Sequence, residues 1–230
     1  MRAKVSEHLE ELRSRLLNIA VFFIFFLIFG FIFSPMIIKK IISDLLIANV
    51  ELVSLSPIEF IYTQIRVSFY FAIALSSPLI IYHAARFVKP GLKRNEIKGL
   101  AYILPGIFLF FILGLLFTYF IFLKTALFFL AGLSSLADIA NMWSIERFIS
   151  FVVGLSLAVG LIFEMPLVLV VLHRLNIVKI KHLKKFRPYI YVGCFIIAAL
   201  LTPPDVVTQI LIALPIIILY EFSLLLMRIF

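Results

Sequence analysis

Glu164 has more chemistry open to it than any other residue of this sequence. It falls in the apolar stretch 148–172, about four residues or roughly 6 Å along a helix from that stretch's centre. A carboxylate at such depth in hydrocarbon costs a few kcal/mol or more unless it is paired, wetted or protonated. It can therefore couple an ion, meet a polar group on another helix, or rest as a neutral acid bonded to a neighbouring carbonyl. Ser156, Gly160 and Glu164 recur at i, i+4, so the small side chains share a helix face with the acid and would let a second helix reach it.

A second set of candidates precedes the first apolar run, where Glu10, Glu11, Arg13 and Arg15 stand together. Glu11 and Arg15 are i, i+4 and can simply pair on a solvated face, worth a few tenths of a kcal/mol. In Phe87-Val88-Lys89-Pro90-Gly91-Leu92-Lys93-Arg94-Asn95-Glu96 one acid stands among bases. Pro90-Gly91 marks a turn, and Glu96 in the first turn of the next helix would suit the helix dipole. Asp205, after Thr202-Pro203-Pro204, is placed to cap the last helix, and Gln209 one turn on can bond across helices. Glu221 and Arg228 fit an interfacial, snorkelling role. His8, His83, His173 and His182 show no ligand spacing, and the single cysteine, Cys194, offers no disulfide or thiolate site. No nucleophile elbow, phosphate loop or dinucleotide fingerprint is present. The reading is therefore not an enzyme, with no catalytic residue, metal or cofactor.

These side chains must be positioned by membrane helices. With 64% hydrophobic and 14% charged residues, the chain carries too little charge for a water-soluble fold of 230 residues. A hydrocarbon core of about 30 Å takes roughly 20 helical residues, and the apolar runs predict six spans at 16–34, 60–82, 99–123, 148–172, 188–202 and 206–227 in a single domain, 1–230. Pro78, Pro105, Pro166 and Pro215 fall inside four of them and predict kinks, consistent with a concave bundle. The fifth span is short, and the loops 35–59 and 124–147 read as an outer cap with short amphipathic pieces.

Sixteen of the 21 basic residues fall on one side of this arrangement, at the N-terminus, between spans 2 and 3, between spans 4 and 5, and at Arg228. Lys39, Lys40, Lys124 and Arg147 lie opposite. The bias predicts both termini in the cytoplasm. Basic residues clustered between spans serve topology rather than nucleic acid, so no nucleic-acid partner is expected. The acidic Glu7, Glu10 and Glu11 argue against a cleaved signal sequence.

Several strings, in order along nearly the whole chain, carry a likeness to a known family. They are His8-Leu9-Glu10-Glu11-Leu12-Arg13, Ser56-Pro57, Ser77-Pro78, Phe87 to Glu96, Phe163-Glu164-Met165-Pro166 and Leu201-Thr202-Pro203-Pro204-Asp205-Val206. Together they resemble the TatC family, the core of the twin-arginine protein translocase, although Ile58-Glu59 stands where aromatic residues often follow the Ser-Pro motif. The resemblance implies a signal-peptide receptor and scaffold in a bacterial cytoplasmic (inner) membrane, serving export of folded proteins driven by the proton motive force. Glu11 and Glu96 would receive the paired arginines, whose forked guanidiniums a lysine pair cannot replace. Arg13 would orient Glu11, and Phe87 and Pro78 would build the docking surface. Single-span TatA and TatB would be partners in an oligomeric complex, with Glu164, Gln209 and Asp205 on the partner side. From the residues alone, the competing reading is a proton- or ion-coupled small-solute transporter using Glu164. The absence of internal repeats weighs against it.

Overall fold

The computed structural model describes residues 2–47, 50–88, 94–135, 140–202 and 205–229, with side chains for residues 10, 12–47, 50–84, 105–133, 140–202 and 205–228. The helices are α1 (Arg2–Leu45), α2 (Glu59–Val88), α3 (Arg94–Phe117), α4 (Leu123–Ser135), α5 (Ile145–Phe163), α6 (Met165–Arg174), α7 (Ile180–Lys185), α8 (Arg187–Leu201) and α9 (Val206–Ile229). Two four-residue strands, β1 (Val50–Val53) and β2 (Asn141–Ser144), pair in parallel with Val50 opposite Asn141. Among the described residues, five helical segments are long and apolar enough to cross a membrane: Leu12–Leu45, Glu59–Ala84, Pro105–Leu133, Ile145–Arg174 and Val206–Arg228. The sixth expected span is α8. Its 15 residues rise about 22 Å, short of a hydrocarbon core of about 30 Å.

The outer loops expected at 35–59 and 124–147 are largely helical, which corrects the sequence reading. Pro35 does not end α1, which runs on to Leu45. The carbonyl that a proline at 35 leaves without an amide is that of Phe31, and the Ser34 hydroxyl donates to it at 2.8 Å. Ser77-Pro78 repeats the device within α2, with Ser77 Oγ 3.0 Å from the Ala74 carbonyl. A hydroxyl one residue before the proline thus replaces the missing donor, as helices in lipid require. The third span likewise continues past 123, through a π-helical turn at Thr118–Phe122 into α4. Thr118 Oγ1 donates to the Gly114 carbonyl there at 2.8 Å. What remains of the outer connections is tied by the β1–β2 pair, whose strands are too short for a periodicity to reveal.

The predicted fourth span is broken. Phe163 ends α5, Glu164 forms a turn, and Pro166 lies in the first turn of α6, where a missing N–H costs nothing. The two helices still form one candidate span, Ile145–Arg174, interrupted beside Pro166 by Glu164 alone, whose backbone keeps right-handed helical angles (φ −71°, ψ −17°). The apolar core joins α1, α2, α4, α5, α8, α9 and the π-turn through Ile38, Val67, Phe122, Leu127, Ile149, Val152, Ala198 and Ile212.

Candidate functional site

The break between α5 and α6 sets the Glu164 side chain, which is 1% exposed. Ser77 Oγ of α2 lies 2.7 Å from Glu164 Oε1. That hydroxyl has one proton and two acceptors within reach, Glu164 and the Ala74 carbonyl. The Ser77 hydroxyl is the donor in both contacts, sharing its one proton between the Glu164 carboxyl at 2.7 Å and the Ala74 carbonyl at 3.0 Å. The Ser156–Gly160–Glu164 face does admit a neighbouring helix, but not the one that meets the acid. A methyl added at Gly160 would stand 2.7 Å from the Phe111 ring, and one at Gly114 would stand 2.9 Å from the Gly160 Cα. Gly160 thus brings α3 close, whereas the acid is met by α2. Ser156 returns its hydroxyl to the Val152 carbonyl of its own helix at 2.7 Å.

The residues assigned to signal-peptide docking are only partly within view. Glu11, Phe87 and Glu96 lie in α1, α2 and α3, and their side chains fall outside the described residues. Arg13 is exposed on α1. Pro78 is buried in α2 beside Ser77, ten residues from the helix end at Val88, or about 15 Å. Arg15 Nη1 donates to the His83 carbonyl at 3.2 Å, fastening the N-terminal part of α1 to the C-terminal part of α2.

Asp205 caps α9 as the sequence suggests, accepting from the Thr208 amide at 2.7 Å and from the Thr208 hydroxyl. Gln209 Nε2 donates across to the Phe195 carbonyl of α8 at 3.2 Å. The partner of Glu221 is Arg187 of α8 at 2.5 Å, and the Tyr191 hydroxyl donates to the second oxygen at 2.7 Å.

Three further polar assemblies escaped the sequence reading. Glu59, 3% exposed, accepts through Oε1 from Ser144 Oγ at 2.5 Å and the Glu146 amide at 3.0 Å. Its Oε2 accepts from the Leu55 amide and from the Ser56 amide at 3.2 Å. One carboxylate thus fixes the starts of both α2 and α5. Arg66 meets Glu146 at 2.9 Å and Ser150 at 3.2 Å, which accounts for a guanidinium inside a span. The Tyr119 hydroxyl donates to Asp44 at 2.7 Å, and Lys40 lies 2.9 Å from the same carboxylate, so the extension of α1 is pinned to the π-turn. The Glu59 contacts to Leu55 and Ser56 are local, and Ser56-x-x-Glu59 has the spacing of a capping box that the sequence could have shown. The other bonds join residues dozens of positions apart or depend on a helix continuing where a loop was expected. Among the described residues no group of three or more His, Cys, Asp or Glu side chains could hold a metal ion.

Residues 7–215 match the family model described as Sec-independent protein translocase protein (TatC). The chain is 38% identical over 223 residues to the TatC protein of Aquifex aeolicus (strain VF5), covering 96% of this chain and 92% of that one. It is also 38% identical over 216 residues to TatCd of Bacillus subtilis (strain 168), covering 94% and 88%. The chloroplastic TATC of Oryza sativa subsp. japonica is 35% identical over 218 residues, 94% of this chain and 60% of that protein. A crystal structure of the twin-arginine translocase receptor TatC in DDM superposes with a TM-score of 0.84 at 38% identity, covering 95% of this chain and 98% of that one. These likenesses span the sequence and the fold alike, and leave neither the solute transporter nor an intramembrane enzyme as the better reading. The chain is a multi-pass membrane protein and belongs to the TatC family of Sec-independent protein translocase subunits.

Proposed function

We propose that this chain is the receptor for twin-arginine signal peptides and the core scaffold of a translocase that exports folded proteins. The observation that carries the reading is the full-length similarity to a crystallised twin-arginine translocase receptor, at 38% identity over 95% of this chain. Counting α8 with the five longer segments gives six spans, and the basic bias supports both termini on the cytoplasmic side of a bacterial inner membrane. Glu11 and Glu96 receive the paired guanidiniums, with Arg13 orienting Glu11 and Phe87 completing the surface. An open cleft of about 560 Å³ between α1, α3, the π-turn and α5 supports a concave face.

Single-span TatA and TatB pack beside the chain, and Glu164, Gln209 and Asp205 lie toward them. The route from docking to recruitment runs along α2. Its inner end carries Phe87, Arg15 fastens α1 to it, and Ser77-Pro78 bears on Glu164. Occupation of the inner site shifts α2, releases the Ser77–Glu164 contact and frees the carboxyl for a polar group on a partner helix.

The deciding experiment is binding of a twin-arginine signal peptide to the purified chain, against a twin-lysine peptide and against Glu11→Ala and Glu96→Ala. Binding that requires both arginines and both acids is expected. Equal binding of the two peptides, indifferent to either acid, overturns the assignment. For the coupling step, Glu164→Ala is expected to keep peptide binding and lose recruitment of TatA. Unchanged recruitment refutes the route.

A further inference from the structure

Between Arg174 and Asp205 the sequence holds no acidic residue, and four lysines, Lys179, Lys181, Lys184 and Lys185, fall within seven positions around α7. All four are exposed, and among the described residues none has an ion-pair partner, since Glu221 is engaged by Arg187. A charge bias of this kind suffices to orient a membrane protein, but orientation does not require the lysines to be held in place. Here they are held. Ile180 and Leu183, three residues apart, pack against Val170, Tyr220, Leu224 and Met227. The Tyr220 hydroxyl donates to the Leu183 carbonyl at 2.9 Å. The short helix is thereby fixed with its apolar side on α9 and its ammonium groups outward.

The chain then passes through Phe186 directly into α8, and Phe186 and Tyr189 stand 51% and 73% exposed with ring centroids 6.0 Å apart. From Tyr189 an exposed apolar stripe runs through Val192 and Ile196 to Leu200. Aromatic rings at the foot of an apolar helix face mark the depth at which headgroups lie. Because α8 rises only about 22 Å, headgroups beside it must be drawn inward.

We propose that α7 and the foot of α8 form a binding site for anionic phospholipid headgroups, with Lys179, Lys181, Lys184 and Lys185 taking the phosphate and the α8 stripe lying along the acyl chains. The occupant is lipid rather than an acidic protein because the lysines sit at the base of an exposed apolar helix face in a membrane protein, where headgroup phosphates are the nearest anions. The proposal stands apart from signal-peptide recognition and does not depend on Glu11 or Glu96.

The test uses the full chain in detergent micelles, with dioleoyl phosphatidylglycerol titrated against dioleoyl phosphatidylcholine and bound lipid counted by native mass spectrometry. The K179Q/K181Q/K184Q/K185Q variant is expected to lose the preference for phosphatidylglycerol by roughly tenfold or more. The corresponding four-arginine variant is expected to keep it, and K39Q/K124Q, on the opposite side, to leave it unchanged. An undiminished preference in the four-glutamine variant overturns the proposal. So does displacement of the lipid by equimolar inorganic phosphate, which would mark a soluble-anion site, or by an oligoglutamate peptide, which would mark a surface for acidic protein.

Discussion

Replacing Glu59 tests whether one buried carboxylate organises the end of the bundle that carries β1 and β2. It accepts from four close donors in two sets, Ser144 Oγ and the Glu146 amide on Oε1 and the Leu55 and Ser56 amides on Oε2, with the Ser54 hydroxyl a fifth and longer contact at 3.5 Å on Oε2. Leaving a donor of this kind without its acceptor costs about 1 to 3 kcal/mol. At about 1 kcal/mol each, the low end, Glu59→Ala loses about 4 kcal/mol of unfolding free energy. Glu59→Gln keeps one carbonyl oxygen and turns amide protons against the other set, so it loses about 2 kcal/mol. Equilibrium unfolding in mixed dodecyl sulfate and maltoside micelles measures both. The single tryptophan of the sequence, Trp143, lies in β2 beside Ser144, so its emission reports local release of this end. A stepwise order, wild type above Gln above Ala with Trp143 emission shifting early, is expected. Both variants within about 0.5 kcal/mol of wild type, with unchanged emission, would refute the reasoning.

Three other outcomes follow from the geometry. Ser77→Ala strands a buried carboxyl and is expected to cost about 2 kcal/mol; a double-mutant cycle with Glu164→Gln should show coupling, and simple additivity would deny that the pair interacts. Gly160→Ala places a methyl 2.7 Å from Phe111 and should destabilise by about 1 to 3 kcal/mol, with partial recovery on adding Phe111→Leu; no recovery would locate the strain elsewhere. Arg187 and Glu221 should couple by about 1 kcal/mol at low salt and less at high salt, because both are partly exposed. Salt-independent coupling would contradict that picture.

Local composition was sufficient for everything governed by hydrocarbon. Apolar runs located the membrane helices and the shortness of α8, Glu164 stood out as a deep acid, and Asp205 declared itself a cap by its place before an apolar run. The ordered motifs, from His8-Leu9-Glu10-Glu11 to Pro203-Pro204-Asp205, were enough to reach the family. Where helices stop was not legible, because Pro35 looks like a terminator until Ser34 is seen to replace its lost donor. Nor was the break at Glu164, which a helical period reads straight through.

Tertiary structure alone decided the partners. Ser77 and Glu164 are 87 positions apart, as are Glu59 and Glu146. Arg187 took Glu221 where Arg228 stood nearer in sequence. A polar group in an apolar medium must find a partner somewhere, so the sequence established that Glu164, Arg66 and Glu221 would be satisfied. Which residue satisfies each depends on how the helices cross, and that is set by contacts such as Gly114 against Gly160 that no local pattern encodes.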